Sequence, residues 1–62
     1  MPLVGRRIRV QGVRARPEYN GQFGVASAFS YTKGRYRIVL DSDPHKPIML
    51  RPRNVFLVEE DG

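Results

Sequence analysis

The chain has 62 residues, near the lower limit at which one hydrophobic core stabilises a fold unaided, so it holds a single domain. With no cysteine, disulfides and thiolate metal sites are excluded, and one histidine, His45, is too few for a zinc site unless carboxylates or a second chain complete it. Eleven Lys and Arg against six Asp and Glu give a net charge of +5; because Glu59, Glu60 and Asp61 fall in the tail 59–62, residues 1–58 carry eleven basic and three acidic groups, a net of +8.

Nine of the eleven basic residues are Arg, whose planar forked donors suit carboxylate and phosphate groups. No apolar run is long enough to span a bilayer, and Met1-Pro2-Leu3-Val4 passes straight into Gly5-Arg6-Arg7 without the apolar stretch of a secretory signal. The expectation is a soluble domain with no membrane insertion, its core in residues 5–58 and an acidic tail at 59–62.

In chain order, Arg7-Ile8-Arg9-Val10 alternates basic and β-branched residues, which predicts a half-buried strand with Ile8 and Val10 inward. Residues 11–21 form a long connection bearing Gly12, Pro17, Asn20 and Gly21. Its end, Asn20-Gly21, suits a tight turn needing positive φ. In residues 23–29 the large Phe23, Val25 and Phe29 share one parity, predicted inward, while Gly24, Ala26 and Ala28 share the other. Small residues on that second face imply close approach of another strand or strong bending.

Ser30-Tyr31-Thr32-Lys33-Gly34 is a hairpin-length loop, and Arg35 to Leu40 is a third strand with Tyr36, Ile38 and Leu40 inward. Residues 41–46 are a polar turn cluster. A short strand follows over 47–51 with Ile48 and Leu50 inward, then a tight or 3₁₀ turn at Arg51-Pro52-Arg53-Asn54, then a last strand over 55–58. Periodicity of 3.6 is absent throughout. Five short strands with one long first loop predict an all-β fold, a small five-stranded antiparallel barrel closed to remove its edges.

The order Gly5, Ile8-Arg9-Val10, Pro17-Glu18-Tyr19-Asn20-Gly21, Gly24-Val25, Gly34-Arg35-Tyr36, Val39-Leu40, Leu50-Arg51-Pro52, Asn54-Val55 resembles small SH3-like barrel modules of the KOW/Tudor-like kind. The resemblance covers nearly all of residues 5–58. It implies an accessory domain of a larger protein or assembly.

Catalytic constellations are poor. Ser27, Ser30 and Ser42 have only His45 as a base, and Asp41 with Asp43 before Pro44 fall short of a calcium loop. Gly21-Gln22-Phe23-Gly24 lacks the Lys and the helix of a phosphate loop. The chain is therefore expected to be no enzyme, with no cofactor, no metal and no small-molecule substrate. The basic residues offer a binding surface instead: Arg7, Arg9, Arg14, Arg16, Arg35, Arg37, Arg51 and Arg53 are the candidates for an anionic partner, with Tyr19 and Tyr31 as exposed loop aromatics. Ordinary solvation of a small barrel is the competing explanation for the same charge. A protein partner or larger complex is the leading expectation and RNA the alternative, because base-stacking aromatics belong on a strand face beside the arginines and these tyrosines fall in loops.

Overall fold

The computed structural model describes residues 2–58, and its strands follow from local pattern. β1 (Arg7–Val10) buries Ile8 and Val10 and leaves Arg7 and Arg9 in solvent, as its alternation dictates. In the connection that follows, Pro17–Tyr19 forms a 3₁₀ turn. Three residues leave no periodic trace in the sequence, but Pro17 opens the turn because its fixed φ suits a first helical position that needs no N–H.

Next comes a type II turn, in which the Gln22 N–H donates to the Tyr19 carbonyl at 3.1 Å. Gly21 supplies the positive φ, at 83°, while Asn20 stays extended at φ −62° and ψ 135°. Asn20 is thus free to use its side chain elsewhere.

β2 (Phe23–Ser30) and β3 (Arg35–Leu40) form the long hairpin, closed where the Gly34 N–H donates to the Ser30 carbonyl at 2.8 Å. β4 (Ile48–Leu50), a 3₁₀ turn over Pro52–Asn54 and β5 (Val55–Leu57) complete the chain. All neighbours are antiparallel in one sheet of order β4-β3-β2-β1-β5. The all-β class and five antiparallel strands are as expected. Among the described residues no helix is long and apolar enough to cross a membrane.

The core is Ile8, Val10, Ala26, Tyr36, Ile38, Leu40, Leu50 and Val55, with Leu3, Val13, Tyr19, Phe29 and Ile48 packed around it. Each fully buried aliphatic side chain contributes about 1.5–3 kcal/mol by leaving water.

Two expectations are corrected. The barrel does not close: β4 and β5 are the sheet's two edges, with no ladder between them. Pro52 lacks an N–H, and the turn it opens uses backbone groups locally, through Asn54 N–H to the Arg51 carbonyl and Val55 N–H to the Pro52 carbonyl.

β2 also departs from expectation. Phe29 turns inward as expected, but Phe23 and Val25 face outward, 41% and 38% exposed, and Gly24 and Ala26 take the inward places. A bulge at Ser27 is the cause. Ala26 pairs with Ile38 and Ala28 with Arg37, so one residue is added and parity reverses midway along the strand. The Ser27 hydroxyl settles the bulge by donating to the Arg37 carbonyl at 3.2 Å and accepting from Arg37 Nη1 at 3.0 Å.

Candidate functional site

The eight candidate arginines separate into three groups. Arg7 is committed to Asp41 at the end of β3, with Nη1 2.9 Å from Oδ1 and Nη2 on Oδ2, and its guanidinium lies 5.6 Å from the centre of the Phe23 ring. Arg16 is committed to Glu18 at 2.9 Å and stands over the Tyr19 ring at 5.2 Å. The hydrogen bonds from these guanidiniums, aided by their charge, hold the Asp41 and Glu18 carboxyls below the usual carboxylate range. Both pairs are solvent-exposed and fix side-chain positions more than they stabilise the fold.

Arg9 and Arg37 stand on strands. Arg9 lies opposite both Phe23 and Phe56, and Arg37 bonds the Ser27 bulge.

The third group converges. Arg14 on the first loop and Arg51 and Arg53 around the second 3₁₀ turn line one groove, floored in part by Met49 and Leu50. Arg51 and Arg53 also line an adjoining hollow with Arg35 and with Lys33 from the β2–β3 hairpin. Five cations from three separate segments thus line two neighbouring hollows that share Arg51 and Arg53, and no carboxylate among the described residues lines either. Like charges gathered without counter-charge produce a focused positive potential suited to an anionic group.

The local folding that builds this groove rests on two asparagines. Asn20 Nδ2 donates to the Val13 carbonyl at 2.9 Å and Oδ1 accepts from the Val13 N–H at 2.8 Å, holding the loop segment that carries Arg14. Asn54 Nδ2 donates to the Gln11 carbonyl at 3.0 Å, and its own carbonyl accepts from the Gln11 N–H at 3.1 Å, which ties the second 3₁₀ turn to the start of the same loop. Gly12, at φ 76°, sits against Asn54, where a Cβ would lie only 3.3 Å from Nδ2.

Of the loop aromatics, Tyr31 is exposed at 78% and packs edge-to-face on Phe29 at 5.3 Å. Tyr19 departs from expectation: it is half-buried against the core beneath Arg16, because the 3₁₀ turn swings it inward. The two tyrosines have different neighbours and do not frame one site. Lys33 is not among the candidate binding residues, yet it lines the adjoining hollow because the hairpin brings it beside Arg35. The only sequence signal for it is the proximity of Lys33 to Arg35 at the mouth of a hairpin.

Among the described residues no hydrogen bond joins Ser27, Ser30 or Ser42 to His45. The Ser42 hydroxyl donates to Gln22 Oε1, and His45 lies exposed in the turn after β3. Among the described residues no three His, Cys, Asp or Glu side chains cluster to hold a metal. The tail 59–62 lies outside the described residues. Comparison of the chain with protein-family models, with curated proteins and with solved structures finds no match.

Proposed function

We propose that the chain is a non-enzymatic docking module of the SH3-like kind, attaching to an acidic segment of a protein partner within a larger assembly through the arginine groove. The observation that carries this reading is the gathering of Arg14, Lys33, Arg35, Arg51 and Arg53 around two hollows that share Arg51 and Arg53 and have no lining carboxylate among the described residues. Forked guanidiniums grip carboxylates in two-point hydrogen bonds, and several around one groove define an orientation as well as an attraction. Met49 and Pro52 between the cations offer apolar ground for the side chains beside those carboxylates.

RNA is the second reading, favoured by the same charge. The groove lining contains no aromatic ring on which a base could stack, which supports the protein reading over it.

Affinity for an oligoglutamate peptide containing leucines, compared with an oligouridylate of the same charge, tests the two. The docking reading expects tighter binding of the peptide and loss of about tenfold or more in Arg51→Glu/Arg53→Glu. Tighter binding of the oligouridylate, with affinity falling steeply in salt, would replace it with the RNA reading.

A further inference from the structure

From the outward face of the sheet we infer a second docking surface, independent of the groove, that receives an amphipathic helix of a protein partner. The bulge at Ser27 leaves Phe23 and Val25 in solvent, and Phe56 is 48% exposed on β5. Arg9 pairs with Phe23 on one side and with Phe56 on the other, and directly opposed residues of antiparallel strands share a face. The row therefore reads Phe56, Arg9, Phe23 across three strands. Val25, opposite Arg7 and Val39, widens it on the same face.

The charge on this face selects the occupant's chemistry. Arg7 is neutralised by Asp41, whereas Arg9 has no carboxylate partner among the described residues. A cation with no carboxylate partner among the described residues, set between two apolar rings, calls for one carboxylate between two apolar side chains. A stacked nucleic acid fits less well. The Arg7 guanidinium already lies over the Phe23 ring, and the Asp41 carboxylate beside it would repel a phosphate. A second copy of the chain meeting this face about a two-fold axis through Arg9 would oppose Arg9 to Arg9.

Spacing selects the occupant's conformation. Two steps between neighbouring strands place Phe56 and Phe23 roughly 10 Å apart at their Cα atoms. In an α-helix, residues i and i+7 are about 10.5 Å apart on one face, with i+3 and i+4 between them. An extended segment offers same-face separations of about 6.8 or 13.6 Å and misses the match. The partner is thus a helix crossing the strands, with apolar residues at i and i+7 and Asp or Glu at i+3 or i+4.

The test uses ¹⁵N-labelled protein and a helical peptide of alanine and glutamine with leucine at i and i+7 and glutamate at i+3 and i+4, against a twin carrying lysine at the two glutamate positions. The glutamate peptide is expected to shift the amides of Arg9, Phe23 and Phe56 and to bind about tenfold more tightly than its twin. Arg9→Glu should invert that preference, and Phe23→Ala/Phe56→Ala, at exposed positions, should abolish it while melting as a folded protein. Arg51→Glu/Arg53→Glu should leave it unchanged, which separates this surface from the groove. Equal binding of the twin, shifts confined to the groove, displacement of the peptide by an oligouridylate, self-association through these residues, or no shift at about 1 mM peptide would each overturn the inference.

Discussion

Asn20 grips Val13 by both of its backbone polar groups, accepting from its N–H and donating to its carbonyl, so one side chain stands in for a strand partner across the first loop. Asn20→Ala would leave both groups without that partner at a half-buried position. A loss of roughly 1–3 kcal/mol is expected, read from the urea midpoint at unchanged slope. Because the same bonds hold the segment bearing Arg14, groove affinity should fall in the folded variant as well. Asn20→Asp keeps the acceptor but faces a carboxylate towards the Val13 carbonyl, and should recover only part of the stability.

Gly24 lies opposite Leu40, and a Cβ there would fall 2.3 Å from the Val39 carbonyl oxygen and 3.0 Å from Leu40 Cα. The obstacle is backbone and cannot rotate away. Gly24→Ala should therefore cost roughly 2–3 kcal/mol, from strain in the β2–β3 ladder. Gly21→Ala, at positive φ with open space around it, should cost about 1 kcal/mol. Chemical denaturation of the two variants side by side checks the order.

The Arg7–Asp41 pair predicts a pH dependence. The hydrogen bond from Arg7 lowers the Asp41 pKa in the folded state, so the unfolded chain binds its proton more readily and the carboxylate contributes stability above its ordinary value. That contribution fades as pH falls from about 4 through the lowered value. Thermal melts of the parent and of Asp41→Asn should differ at neutral pH and converge in acid. A constant difference across the range would contradict it.

Much of this fold is legible because β1 and β3 alternate cleanly, and Ile8, Val10, Tyr36, Ile38 and Leu40 are buried as their parity requires. The small residues of β2 mark a close approach, realised at Gly24 against β3. The facing of β2 is not legible because Ser27 adds one residue in mid-strand, and a bulge leaves a spacing in which Phe23, Val25 and Phe29 keep one parity while changing face.

The groove is half legible. Arg14, Arg35, Arg51 and Arg53 stand out as candidates by residue type, but their convergence depends on Asn20 and Asn54 folding the first loop against the second 3₁₀ turn. Charge counting does not distinguish them from Arg7 and Arg16, whose partners Asp41 and Glu18 lie 34 and 2 residues away in the chain.

The proposed seating of an acidic protein segment in the arginine groove is tested most directly by an amide-shift map with the leucine-containing oligoglutamate peptide. Saturable shifts concentrated in residues 12–15, 33–35 and 49–54, erased by Arg51→Glu/Arg53→Glu, are the predicted result. Shifts spread evenly over all basic residues, or unaffected by that charge reversal, would contradict it.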